Sequence, residues 1–362
     1  MWPRIEEDRM ADSKGVGVSV AAGLAALAAG LVTGAVAERK FVADKMEIDP
    51  ESFAELGRLR GEVGTARSVD GIRLYVDVDT PEGFDPERDL TVIFSHGYSL
   101  NHRTWHYQRA ALRGQARLVF WDQRAHGESE RGAPESHNID QLGLDLDAVI
   151  NHVAPVGPLV LVGHSMGGMT VMSLAASNPA LFSARVAGVG LLGTSSGGMA
   201  EVPLGMPAPI ARMAHRYAPS LVPTLIRRRD LIEASRRRTS DLSMLLARRY
   251  SFGSPVSPEV AQFTLDMITG TPVDVVAEFL PTFDKHDKRA ALATMAGLEV
   301  LVMVGRDDVM TPVGHSYEIV RRVPHAELVV INETGHMLML ERPEEVNREL
   351  LGLLDRARRA IN

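Results

Sequence analysis

Apolar residues in this chain come in short, nearly unbroken runs: 90–95 (LTVIFS), 117–121 (RLVFW), 158–162 (PLVLV), 186–192 (VAGVGLL), 298–304 (LEVLVMV) and 326–331 (AELVVI). Runs of this length that do not alternate predict strands covered on both faces by other elements. Between them, at about 103–113, 138–152, 166–177, 313–322 and 343–359, the apolar positions recur with helical spacing. The alternation predicts an α/β fold built on a doubly wound, mostly parallel sheet. Ahead of these runs, 72–78 (IRLYVDV) alternates like a half-buried strand, and Val69-Asp70-Gly71-Ile72 sets a D-G turn before it, which predicts a hairpin. Ligands in open sheets of this kind sit at the carboxyl ends of the strands, so chemistry is expected just after a strand.

Two intervals break the rhythm. From 197 to 292 no strand pattern appears, and Pro203, Pro207, Pro209, Pro219, Pro223, Pro255, Pro258 and Pro272 punctuate short helical stretches. A segment this long is not a passive loop in a compact domain, and it is expected to form a helical cap inserted between core strands. The core is then expected at 67–196 and 293–362. The other interval is the N-terminal segment, 1–66. Residues 15–37 carry no charged side chain, and as a helix they would span about 34 Å, against a bilayer core of roughly 30 Å. Gly30 and Gly34 form a G-x-x-x-G suited to close packing in a membrane. Ala35-Val36-Ala37 also fits a signal-peptidase site, but the residues before the apolar stretch are not basic. A single membrane anchor is therefore expected in preference to a cleaved signal or a soluble leader. Residues 38–64 are expected to be a short helical linker.

Composition narrows the functions. The formal net charge of the 362 residues is −7, so no global basic field attracts nucleic acid. Cysteine is absent, which excludes disulfides, thiolate catalysis and cysteine metal sites together. There is no H-E-x-x-H and no phosphate-cradling glycine loop, and neither a metal nor an organic cofactor is expected.

The chemistry gathers at strand ends. Gly163-His164-Ser165-Met166-Gly167 is a G-x-S-x-G between the apolar run 158–162 and the helical pattern 166–177, the context of a nucleophile elbow. It exposes the Ser165 hydroxyl above a helix N-terminus. A base is available in His336, which follows the run 326–331, whereas His164 sits beside the serine on the elbow and is poorly aimed to take its proton. The carboxylate that orients the base is expected after 298–304, where Asp307 and Asp308 both qualify; the loop after 186–192 holds no acid. Two backbone N–H groups are expected to form an oxyanion hole, one from Met166 and one from Tyr98, with Gly97 allowing close approach of the backbone. His96, Gly97 and His164 are expected to line the site, with His102 and His106 also nearby. In the cap, Met199, Met206, Met213, Met244 and Met267 are expected chiefly as packing, with an adaptable apolar acyl pocket as the alternative. The arginines at 227–229, 236–238, 248 and 249 are interrupted by acids and are expected on solvated helix surface.

These segments together resemble the α/β-hydrolase superfamily: FSHGYSLNHRTW (94–105), WDQRAHGES (121–129), LVGHSMGGM (161–169), VGRDDVMTP (304–312) and TGHMLMLERPEE (334–345). The chain looks especially similar to actinobacterial members that carry an Ala/Gly-rich N-terminal segment. The family's spacing from Gly305 and Pro312 selects Asp308 over Asp307. The resemblance also implies that the loop from Asp122 to Ser129 is structural. It implies a serine hydrolase, expected to cleave a carboxylic ester or thioester; the cap methionines favour a small, apolar acyl compound as substrate, and the net charge leaves no nucleic-acid partner expected. A cofactor-free haloperoxidase-like activity is the alternative, and a non-catalytic binding module on the same fold is the third reading.

Overall fold

The computed structural model describes residues 56–202 and 248–361. The expected anchor at 15–37 lies outside them; among the described residues no helix is long and apolar enough to cross a membrane. Strands β1 (Glu62–Arg67), β2 (Arg73–Asp79), β3 (Thr91–Ser95), β4 (Arg117–Trp121), β5 (Leu159–His164), β6 (Val186–Leu192), β7 (Glu299–Gly305) and β8 (Glu327–Ile331) form one sheet in the order β1-β2-β4-β3-β5-β6-β7-β8. Strand β2 is antiparallel to both of its neighbours, and the remaining pairs, from β4 to β8, are parallel.

The parallel strands explain their own sequences. Along β3, β4, β5 and β7, successive side chains enter different cores. Ile93, Val119, Leu161 and Val302 face one, and Phe94, Phe120, Val162 and Met303 the other. Helices α2 (Ile139–Val153), α3 (Met166–Ser177) and α7 (Val313–Arg322) cover the first face through Leu146, Val171 and Ile319. Helices α1 (His106–Leu112) and α9 (Pro343–Ile361) cover the second through Leu112, Leu350 and Leu353. With both faces dry, the middle positions of each strand are apolar and no alternation survives. Short helices α4 (Pro179–Arg185) and α8 (Leu338–Glu341) complete the core.

Strand β1 corrects the N-terminal boundary. The core was expected to begin at 67, after a helical linker, yet 62–67 pairs with β2 along its whole length. Ahead of it, the Gly57 N–H donates to His106 Nδ1 at 3.1 Å, and the Gly57 carbonyl accepts from Arg103 Nε. The strand has one buried residue, Ala66, and an edge strand with so little apolar content leaves no run to read.

Between β6 and β7 the chain leaves the sheet. Residues 203–247 are outside the described range, and with them Met206, Met213, Met244 and the arginine triplets. Two helices follow, α5 (Pro258–Gly270) and α6 (Val273–Lys285). Two of their prolines start helices, while Pro281 lies inside α6. Pro258 occupies the first turn of α5 after the Ser257 cap, and Pro272 caps α6. The Arg248 guanidinium donates to the Val256 carbonyl, and Arg249 is exposed.

Candidate active site

The turn from β5 into α3 is strained where the serine sits. Ser165 has φ +52° and ψ −118°, a region that side chains rarely occupy. Its N–H donates to the Leu192 carbonyl at 2.9 Å, and its own carbonyl accepts from the Thr194 hydroxyl at 2.7 Å, so β6 and the loop after it hold the turn. The flanking glycines are required by contact. A β-carbon at Gly163 would lie 2.4 Å from the Gly167 carbonyl oxygen, and one at Gly167 would lie 2.0 Å from that of Ser95. Residue 166 opens α3, so its N–H precedes the helix's own ladder.

His336 follows β8 and is nearly buried. Its Nδ1 lies 2.8 Å from Asp308 Oδ2. Asp308 is buried as well, on the loop after β7. Its Oδ1 accepts from the Met310 and Thr311 N–H groups at 2.8 and 2.9 Å, and its Oδ2 also accepts from the Thr311 hydroxyl at 2.8 Å. Burial pushes its pKa up, but the adjacent imidazole and the Thr311 donors outweigh that and hold it below the usual carboxylate value. Asp307 is exposed and uses its backbone N–H to reach the Thr334 carbonyl. With Nδ1–H donated to the carboxylate, His336 keeps its Nε2 lone pair for another partner.

Ser165 and His336 line one cavity of about 460 Å³, together with Gly97, Tyr98 and His164. Most of its remaining wall is apolar: Met169, Ile268, Val276, Leu280, Phe283 and Met310.

The histidines near the site divide sharply. His164 lines the cavity but is otherwise committed, since its Nε2 meets the His336 carbonyl at 2.9 Å. Burial holds its pKa well below the usual imidazole value, so the ring is neutral. His96, expected to line the site, instead lies behind it. Its Nε2 accepts the Gln123 N–H at 3.0 Å, so its Nδ1–H donates to the Gly97 carbonyl at 2.8 Å. Burial pushes its pKa down to about 4. His96 thus props up the loop that carries Gly97 and Tyr98. His102 and His106 do not line the cavity either. His102 Nδ1 lies 3.0 Å from both oxygens of the buried Asp122, and His106 holds Gly57.

Asp122 also accepts from the N–H groups of His102 and Glu128, and a β-carbon at Gly127 would lie 2.1 Å from its Oδ2. Arg124 pairs with Asp145 at 2.6 Å and with Asp70 at 2.9 Å, tying the same loop to α2 and the hairpin. These are the contacts of a structural brace.

Residues 92–349 match the alpha/beta hydrolase family. The chain belongs to that family. Among its relatives is the dihydrolipoyllysine-residue acetyltransferase component of the acetoin cleaving system of Pseudomonas putida, 27% identical over 276 residues. That alignment covers 74% of this chain and spans 64% of the relative's length. The AB hydrolase superfamily protein YisY of Bacillus subtilis is 27% identical over 260 residues, 71% of this chain and 88% of the relative. Among solved structures, a thermophilic esterase from Thermogutta terrifontis superposes with a TM-score of 0.62 at 22% identity, over 82% of this chain and all (100%) of the esterase. The likeness is one of fold.

Parts of this hydrolase's cavity wall were not foreseen from its sequence. Of the five cap methionines, Met199 lines the cavity and Met267 is instead packed in the core; Met169, Met310 and Met337 line it from the sheet side. The Tyr98 hydroxyl donates to the Val276 carbonyl of α6, and its ring meets Phe283 edge-on at 5.0 Å. Thr311 was visible in the sequence but carried no assignment; its place three residues after Asp308 is the spacing of a side-chain-capped turn.

Proposed function

We propose that this hydrolase is a serine esterase that cleaves carboxylic esters or thioesters of compact apolar acids through an acyl-enzyme. One observation carries the reading. A serine at positive φ shares an apolar cavity with a histidine whose other ring nitrogen is bonded to a buried carboxylate.

The chemistry follows from those groups. His336 Nε2 takes the Ser165 proton as the hydroxyl attacks the acyl carbonyl. Asp308 holds the productive tautomer and stabilises the imidazolium. The Met166 and Tyr98 N–H groups receive the oxyanion, and a single donor of this kind contributes about 3 kcal/mol. His336 returns the proton to the leaving oxygen or sulfur. Water, activated by the same imidazole, then releases the acid.

The cavity's size supports a small substrate, since ligand pockets run from about 300 to 1,000 Å³. Its wall is mostly Met, Leu, Ile, Val and Phe, and with Asp284 as the carboxylate among the lining residues it supports an acyl chain with no negative charge. The test is a series of p-nitrophenyl esters from acetate to palmitate, with wild type and Ser165→Ala. On this reading turnover is expected to peak at intermediate chain length and to vanish in the alanine variant. Turnover that persists in Ser165→Ala, or that requires halide and peroxide, would overturn it.

A further inference from the structure

Glu341 is a carboxylate with no part in the steps above, yet it is buried and close to the base. It ends α8, five residues after His336. Its Oε2 accepts the Gly335 N–H at 2.8 Å. Its Oε1 accepts the Ser254 N–H at 2.6 Å and the Ser254 hydroxyl at 2.7 Å. The Gly253 N–H reaches both oxygens, at 3.1 and 3.2 Å. A buried carboxylate is costly unless donors surround it, and here they come from two segments far apart in the chain. One is the loop that presents His336. The other is the segment 251–254, which precedes α5 in the region between β6 and β7.

The two segments touch backbone to backbone. A β-carbon at Gly335 would lie 2.5 Å from the Gly253 nitrogen, and one at Gly253 would lie 2.6 Å from the Thr334 carbonyl carbon. On the other side of the base, the Met337 N–H donates to the Ser251 carbonyl at 2.8 Å. The His336 carbonyl is held by His164. The residue before the base, the residue after it and the base's own carbonyl are therefore all fixed, two of the three through 251–254. Tyr250 and Ser251 of this same stretch line the cavity.

We infer that Glu341 is a positioning residue: it locks the His336 loop to the segment 251–254 that leads into α5, and that contact aligns the base. The inference rests on the assignment of His336 as base. Substitution by glutamine shows why the charge is needed. Three donors crowd Oε1, so the amide oxygen goes there and the amide NH₂ faces the Gly335 N–H. A donor then meets the N–H donor of Gly335, the residue that precedes His336.

The experiment measures fluorophosphonate labelling of full-length wild type, Ser165→Ala, Glu341→Gln and Glu341→Asp, recording both the rate and the end point. Wild type must label and Ser165→Ala must not; otherwise the Ser165–His336 reading fails, and this inference with it. With that control in place, Glu341→Gln is expected to reach the wild-type end point at a rate lower by about ten- to a hundredfold, the scale set by misplacing a catalytic group. On an ester substrate, kcat falls by the same factor and KM does not. Glu341→Asp keeps the charge but cannot reach Gly335 and Ser254 together. It takes the place of the glutamine variant if that one does not fold, with the same slow rate and full end point expected. A lowered end point with an unchanged rate would reveal a purely structural role and overturn the inference. So would a rate equal to wild type in either folded variant.

Discussion

Asp308→Asn tests the orientation of the base with almost no change in shape. Both backbone donors, Met310 N–H and Thr311 N–H, point at Oδ1. In the variant the amide oxygen must take that place, because an NH₂ there would face two N–H groups. The NH₂ is thereby directed at the Oδ2 position, 2.8 Å from His336 Nδ1 and 2.8 Å from the Thr311 hydroxyl. The hydroxyl can rotate to accept, and Nδ1 accepts the other N–H. The imidazole proton is then forced onto Nε2, where a lone pair is needed to receive the Ser165 proton. A tautomer trap of this kind lowers kcat about ten-thousand-fold in a serine protease triad. That corresponds to about 5 kcal/mol of transition-state stabilisation at about 1.4 kcal/mol per decade. KM should stay near wild type, since Asp308 does not line the cavity. Steady-state kinetics on a p-nitrophenyl ester gives the answer, with thermal melts to confirm folding. Asp307→Asn serves as the control, because its exposed side chain takes no part, and it is expected to retain wild-type kcat. A Asp308→Asn variant within tenfold of wild type, or an equal loss in both variants, would refute the reasoning.

Gly97→Ala would place a β-carbon 2.7 Å from His164 Nδ1 and 3.1 Å from Leu100 Cδ1. The loop carrying the Tyr98 N–H must then move, and kcat is expected to drop about a hundredfold or more with little change in KM; an unchanged kcat would remove Tyr98 from the oxyanion hole. Ile268→Trp on α5 fills part of the cavity, so it should depress turnover of long acyl esters while sparing acetate, and equal effects on all chain lengths would contradict the acyl-pocket assignment. Stability should fall in acid from the buried histidines. Burial holds His96, His126 and His286 at about 4, 3 and 4, below the unfolded value of 6.5. The unfolded chain therefore binds more protons once pH drops below 6.5; stability is complete above that value and is lost as pH falls towards the folded values. Each histidine contributes a slope of about 1.4 kcal/mol per pH unit in that window. Urea unfolding at about pH 7.5 and about pH 5 measures the change, and equal stabilities would show that these rings are not buried neutral.

Most of the sheet was legible because of how it is covered. Strands β3 to β7 are buried on both faces, and two-sided burial writes an apolar run that needs no partner to be recognised. Strand β1 has no such signature: Val63 is exposed, and Ala66 is the one residue of the strand that enters the core. The helical pattern at 103–113 is two elements, a 3-10 turn at His102–Trp105 followed by α1, because the Asn101 side chain caps the turn and starts it early. In the site, Ser165 and His336 could be read because each stands in the turn or loop that follows an apolar run. Strand-end position alone did not separate Asp307 from Asp308, since both follow β7, and it was the family's spacing from Gly305 and Pro312 that selected Asp308. The Thr311 turn and burial separate them in the structure. The bond from Tyr98 to Val276 crosses 178 residues, and those from Ser254 to Glu341 cross 87. Nothing local marks either contact. His96 was expected in the cavity because it stands at a strand end, but strand-end side chains alternate in direction, and its ring turns to Gln123 behind the loop.

The most direct test of the account is the site of covalent modification. The full-length protein is treated with a fluorophosphonate, digested, and the adduct mapped by mass spectrometry. The account predicts a single adduct on Ser165, formed rapidly in wild type and abolished in His336→Ala. An adduct on another residue, or a folded wild type that remains unmodified, would contradict it.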